Sequence, residues 1–162
     1  MHSLQIGQVL ILLTIANGAP VIARKVFGHR WSWPLDAGKI WRDGRPVLGV
    51  SKTVRGVTCS VVATMTVAPT IGVSWTVGLG AGVAAMAGDL FSSFVKRRLG
   101  LPASERATGL DQVPESLLPA LVCAYELELE WLDVVIVTGI FFVGEIALSR
   151  LLYTLHIRAR PY

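Results

Sequence analysis

Asp89 ends a stretch of 33 residues, 56 to 88, that contains no charged side chain, and Ser92, Ser93, Lys96, Arg97 and Arg98 follow it. A carboxylate, two hydroxyls and three cations within three helical turns are groups suited to a metal ion or to phosphate oxygens. An ionised acid at the end of an apolar run needs such a partner, because in hydrocarbon it costs several kcal/mol when unpaired. At about 100° per residue, Gly82, Ala85, Met86, Asp89, Ser92, Ser93 and Lys96 share an arc of roughly 100°, while Ala87, Phe91, Phe94 and Val95 point away. The plainer alternative is a structural ion pair, with Asp89 held by Lys96 two turns on or by Lys52 from the preceding loop.

A second group of chemistry-bearing residues lies just before an apolar segment, in Asp43-Gly44-Arg45-Pro46 and Ser51-Lys52-Thr53-Val54-Arg55-Gly56. Cations neutralise phosphate oxygens, and free amides at a helix start donate to them, so this stretch suits a phosphate-bearing ligand. A basic loop with turn glycines reads almost the same. Asp111, followed by Pro114 and Glu115, fits a helix N-cap. Taken with Asp89, however, it supplies the second carboxylate that a Mg²⁺ site for a nucleotide requires, since that hard cation takes a few carboxylates and completes its shell with phosphate oxygens.

The elements that must position these groups follow from hydropathy. The 162 residues are 52% hydrophobic and only 16% charged, with a mean hydropathy of +0.57, against roughly 25% charged for an average soluble domain. The composition therefore indicates one all-α membrane domain over residues 1–162. A first apolar segment runs from Leu4 to Ala23, with no Lys or Arg ahead of it and Pro20 expected to kink or end it. The uncharged run 56–88 would extend about 50 Å as one helix, too long for a hydrocarbon core of about 30 Å. It divides at Pro69 to Gly72, and a third helix begins near Val73 and reaches Leu99, carrying Asp89 to the boundary after about 24 Å of rise. Leu117 to Leu127 and Asp133 to Tyr153 make five crossings in all, with Gly72, Gly78, Gly80 and Gly82 allowing close helix approach.

All fifteen Lys and Arg fall in three places, eight in 24–55, four in 96–106 and three in 150–160, while Glu126, Glu128, Glu130 and Asp133 form an acidic cluster. Five crossings put every basic segment on one side and the acidic one on the other, so the N-terminus is expected outside and both polar loops and the C-terminus in the cytoplasm. Trp31, Trp33 and Trp41 are expected at headgroup level. Cys59 and Cys123, without paired spacing, are packing residues, and Glu145 is read as an acid that pairs with a neighbouring helix. His2, His29 and His156 lie away from the motifs and are given interfacial or solvated roles.

Asn17-Gly18-x-Pro20, Pro34-Leu35-Asp36-x-Gly38-Lys39, Asp43-Gly44-Arg45-Pro46, Ser51-Lys52-Thr53-x-Arg55-Gly56, Gly88-Asp89-Leu90 with Ser93, Lys96 and Arg97, and Gly109-Leu110-Asp111-Gln112 occur here in that order. As a set they resemble the CDP-archaeol synthase family, a small five-helix branch of the CTP-dependent phospholipid cytidylyltransferases related to CDP-diacylglycerol synthases. Ala37 stands where that family usually has a second glycine, and Val54 where an aromatic is common. The resemblance implies a Mg²⁺-dependent enzyme that joins CTP to an unsaturated ether-lipid phosphate and releases pyrophosphate. It implies that Asp89 and Asp111 hold the metal, that Ser51, Lys52, Thr53 and Arg55 meet nucleotide phosphates, and that Ser93, Lys96 and Arg97 serve the triphosphate or the lipid phosphate.

Other classes are a synthase of the CDP-diacylglycerol type acting on phosphatidate, and a transporter or scaffold using Asp89 and Glu145 as an intramembrane acid pair. A CDP-alcohol phosphotransferase would carry several aspartates at four-residue spacing on one helix, which this sequence lacks.

Overall fold

The computed structural model describes residues 2–103, 105 and 107–154, the side chains of 148–153 excepted. Its elements are α1 (Ser3–Phe27), α2 (Val54–Val67), α3 (Trp75–Arg98), α4 (Gln112–Leu127) and α5 (Trp131–Thr154), with a short 3₁₀ segment, Ala68–Ile71, between α2 and α3. Among the described residues, extended pairing is limited to two isolated bridges in the first loop, Pro34 with Thr53 and Ile40 with Pro46. The fold is all-helical, as hydropathy predicts. Among the described residues, three segments, α1, α2 continued to Ile71, and α3, are long and apolar enough to cross a membrane. Helix α4 has 16 residues, short of the about 20 a straight crossing needs.

Helix α1 does not stop at Pro20 but runs on to Phe27. Proline has no N–H, so the carbonyl of Ala16, four residues earlier, loses its intrahelical donor. Ser60 of α2 replaces it, its hydroxyl donating to the Ala16 oxygen at 2.8 Å, with Ser60 fully buried. A freed backbone acceptor in an apolar bundle has to be satisfied by a neighbouring helix, and here the same bond fixes α2 against α1.

The division of the uncharged run falls where expected. Pro69 sits in the first turn of the 3₁₀ segment, and Gly72 adopts φ 76, which a side chain would strain. Ser74 then caps α3, accepting from the Thr76 amide at 3.3 Å, so that helix starts at Trp75 rather than Val73. Small residues bring the helices together. A Cβ at Gly78 would lie 2.6 Å from that of Ala68, one at Gly82 would strike the Thr64 hydroxyl, and one at Gly88 would strike the Pro114 carbonyl and the Glu115 amide. The Gly88 contact draws α4 onto the part of α3 that carries Asp89. Val9, Leu12 and Leu13 of α1 meet Val77 and Ala81 of α3, Ala120 and Cys123 of α4 and Val137 of α5 in the core. Cys123 is thus a packing residue, and neither it nor Cys59 is in a disulfide.

The first loop is ordered by its own hydrogen bonds. Asp36 accepts from the amides of Gly38 at 3.0 Å and of Leu48 and Gly49 at 2.9 Å. Ala37 and Gly38 have φ of 49° and 73°, and the Lys39 amide closes onto the Asp36 carbonyl at 2.9 Å. Two successive positive φ values within such a closure make a tight turn of the kind that favours glycine at both positions. Arg98 docks the loop on the end of α3. Its guanidinium pairs with Asp43 at 2.7 Å and lies 5.9 Å from the Trp41 ring and 5.0 Å from that of Phe94. Trp31, Trp33 and Trp41 are all exposed.

Candidate active site

Thr53 occupies the N-cap of α2, and its hydroxyl accepts from the Gly56 amide at 3.1 Å. That cap turns the chain so that Ser51, Lys52, Thr53 and Arg55 line a cavity of about 380 Å³ together with Asp89 of α3. The positive end of the α2 dipole points into the same space. Lys52 Nζ donates to both oxygens of Asp89, at 2.6 and 2.7 Å, with both side chains about a quarter exposed. Of the two ion-pair alternatives for Asp89, the geometry selects Lys52 over Lys96. Arg55 is turned outward to hold the loop, donating to the carbonyls of Gly28 and Arg30.

Lys96 and Asp111 form a second pair. Lys96 Nζ lies 2.6 Å from Asp111 Oδ1 and 3.1 Å from the carbonyl of Glu105. Asp111 stands at the N-cap position of α4, yet its side chain does not cap that helix. It accepts instead from the Ala107 amide at 2.9 Å, upstream in the loop. Lys96 is seven residues beyond Asp89, about 10 Å of helix rise, and neither it nor Ser93, Arg97 or Asp111 lines the cavity. Ser93 and Arg97 are buried. Arg97 donates to the Pro102 carbonyl at 2.8 Å and so secures the second loop, while Ser92 ties α3 to the Leu110 carbonyl at 2.6 Å.

The predicted site residues therefore fall into two neighbouring groups. Around the cavity are Asp89, Lys52, Ser51, Thr53 and Arg55, and behind it are Asp111, Lys96, Ser93 and Arg97. Glu115 joins them. It is buried on the first turn of α4 and lies within electrostatic range of Asp89, Lys52, Asp111 and Glu145. Sequence reading treated Glu115 as an ordinary first-turn residue, although its spacing of four from Asp111 puts both acids on one helical face. Asp36 was missed as the loop's organiser, and Arg24 and His29 as cavity-lining residues; His29 in particular is not remote from the motifs.

The donor set bears on a metal. Among the described residues, no three His, Cys, Asp or Glu side chains gather closely enough to cage an ion. One or two carboxylates at a phosphate-binding cavity are a donor set that fits Mg²⁺, which keeps several waters and takes few protein carboxylates beside substrate phosphates. Asp89, with both oxygens already turned to a cationic ammonium, has the orientation that a cation requires.

The family model described as CarS-like, CDP-archaeol synthase, matches residues 68–162. A CDP-archaeol synthase of Hyperthermus butylicus is 41% identical over 104 residues, 60% of this chain and 59% of that protein, so this match spans less than two thirds of the relative. That of Pyrococcus furiosus is 37% identical over 68% of each chain, and that of Saccharolobus islandicus is 31% identical over 91% of this chain and 89% of its own. A solved structure described as an intramembrane enzyme for archaeal membrane lipids biosynthesis superposes with a TM-score of 0.75 at 26% identity, covering 88% of this chain and 90% of that one. The chain belongs to the CDP-archaeol synthase family.

Proposed function

We propose that this protein is a CTP:lipid-phosphate cytidylyltransferase whose acceptor is the phosphate monoester of an archaeal ether lipid, of the 2,3-bis-O-geranylgeranyl-glycerol phosphate type, and whose products are the CDP-lipid and pyrophosphate. The observation that carries this reading is the cavity in which the Lys52–Asp89 pair meets the hydroxyls of Ser51 and Thr53 at the end of an apolar helix. A lipid phosphate resides at headgroup level and a nucleotide arrives from water, so their reaction belongs at that boundary. The five helices act as five crossings, with the N-terminus outside and the cavity open to the cytoplasm, which keeps the basic loops inside. The basic tail from residue 150 onward, on which part of this orientation depends, lies outside the described side chains.

Both reactants are anions, so the work of the protein is alignment and neutralisation. A lipid phosphate oxygen attacks the α-phosphorus of CTP in line. The new P–O bond forms as the bond from that phosphorus to the α–β bridging oxygen breaks, and pyrophosphate leaves with the electron pair. No covalent enzyme intermediate is required. Lys52 and the α2 N-terminus stabilise charge on the polyphosphate, and Lys96, held by Asp111, is the next cation along α3. Asp89 is the residue that would hold Mg²⁺ at the cavity, where the ion would supply charge neutralisation of phosphate oxygens; Asp111, engaged by Lys96 behind the cavity, would join it only on exchanging that ion pair.

Replacing Asp89 or Asp111 by Asn and measuring CTP-dependent formation of CDP-lipid in liposomes tests the assignment. Loss of at least about 100-fold in kcat/KM is expected for each, the scale for one electrostatic contact to a reacting phosphoryl group. Near-normal turnover in both variants would remove the mechanism.

A further inference from the structure

Helix α1 and the residues just after it bring to the cavity wall two groups that no motif contained, Arg24 and His29. The cations around the cavity differ in what already holds them. Lys52 is engaged by both oxygens of Asp89, and Arg55 by the carbonyls of Gly28 and Arg30. The Arg24 side chain has neither a hydrogen bond nor an ion pair among the described residues, so its guanidinium is available as a planar fork matched to phosphate oxygens.

Its place on α1 indicates which phosphate. Pro20, one turn earlier and about 40° round the helix, lines the same cavity. Val21 and Phe27 stand about 60° to either side of Arg24, 51% and 39% exposed, and present apolar surface beside it. Arg24 thus sits where the cavity wall meets a helix face suited to hydrocarbon. A lipid phosphate has to leave its chains in hydrocarbon while its headgroup enters the site, and this wall meets both demands at once. A nucleotide has only the second demand, which the loop bearing Ser51 and Lys52 meets from the other side.

We propose that Arg24, with His29 of the same cavity lining, receives the phosphate monoester of the lipid acceptor, leaving Lys52 and the 51–53 segment to the nucleotide. This assignment rests on the cytidylyl-transfer reading, and two assays separate the failure of one from the failure of the other. In the first, steady-state kinetics in liposomes, Arg24→Ala raises KM for the lipid phosphate on the order of 10- to 100-fold, the range for one charged bidentate contact, and leaves KM for CTP within about twofold. Arg24→Lys restores part of the loss, since it returns charge without the fork, and His29→Ala gives a smaller rise in the same parameter. In the second, binding of a dialkylglycerol phosphate to the protein in neutral-lipid nanodiscs is measured without CTP or divalent ion, and Arg24→Ala weakens it by a similar factor.

Arg24 is exposed and makes none of the loop's bonds, and a monodisperse elution profile equal to that of the unchanged protein establishes that the variant is folded. Unchanged lipid KM and unchanged binding would overturn the proposal, as would a rise confined to KM for CTP, which would give Arg24 to the nucleotide. Should the unchanged protein bind the lipid phosphate through Arg24 yet form no CDP-lipid with any acceptor, the cytidylyl-transfer reading would fail while the assignment of Arg24 to a lipid phosphate held.

Discussion

The bond from Ser60 to the Ala16 carbonyl makes a quantitative prediction, because it exists to repair what Pro20 removes. Ser60→Ala leaves that carbonyl without a donor. A buried unsatisfied backbone acceptor costs about 1–3 kcal/mol, whereas single interhelical hydrogen bonds in a membrane bundle average about 0.6 and reach about 1.7 kcal/mol. With Ser60 and Ala16 at 0% and 1% exposure, no water substitutes, and a loss of about 1.5 kcal/mol is expected. In a Pro20→Ala background, residue 20 regains an N–H that can return to the Ala16 oxygen, and Ser60→Ala then costs only about 0.5 kcal/mol by the lower membrane figure. The coupling energy of the cycle is therefore about 1 kcal/mol, within the range for residues in direct contact. Reversible unfolding in mixed micelles of the four proteins measures it. Equal costs of Ser60→Ala in both backgrounds would refute the view that the hydroxyl serves as the proline's missing donor.

The first loop supports two further predictions. Ala37→Gly relieves a left-handed residue, worth about 1–2 kcal/mol for an L side chain, against the about 0.5–1 kcal/mol of extra chain entropy that glycine brings. A net gain of about 0.5–1 kcal/mol in loop stability should appear as slower proteolytic cleavage between residues 28 and 53. Burial pushes the Asp36 carboxyl up, but the amides of Gly49, Leu48 and Gly38 outweigh it and hold it below its ordinary value of 3.8. The folded value being depressed, its contribution is complete above the unfolded value and is lost as pH falls through the folded one. Hydrogen-exchange protection of the Leu48 and Gly49 amides, corrected for intrinsic rates, should therefore drop below pH of about 4, and Asp36→Asn should abolish that dependence.

Much of the architecture is legible in the sequence because a bilayer leaves few choices. Charge-free length, Pro69 to Gly72 as a break, and the small residues at 78 and 82 each have a local cause that the fold retains. The end of α1 is not legible in that way. A proline inside an apolar helix is tolerated only if another helix supplies a donor, and nothing near Pro20 in sequence announces Ser60, 40 residues on. The same limit applies to the site. Spacing on α3 placed Asp89, Ser92, Ser93 and Lys96 on one face, but which lysine meets which aspartate depends on how the two loops fold back. Asp36 sets the first of these through three backbone amides, and Arg97 holds the second by the Pro102 carbonyl. Ala37 is a case where sequence and structure meet, since the position at which the family resemblance implies a glycine is one where this chain adopts φ 49.

The pairing of Lys52 with Asp89 also constrains how a substrate can enter. A lysine bonded to both oxygens of a carboxylate cannot at the same time give its full set of donors to a phosphate, so under the proposed function the ion pair and the nucleotide would compete for one ammonium. The competition favours the nucleotide only when another positive charge replaces Lys52 at Asp89, because a carboxylate left bare beside Glu115 and at the boundary of the bundle is costly. A polyphosphate bearing a divalent ion would meet both needs, with Lys52 free to neutralise its oxygens and Asp89 the residue that would hold its cation. Free CTP meets only the first. Affinity of the protein for CTP should accordingly depend steeply on divalent ion, and Asp89→Asn, which no longer requires a replacement charge, should bind metal-free CTP more tightly than the unchanged protein even as turnover is lost. Equal metal-free affinity in the two proteins would show that the pair is not exchanged on binding.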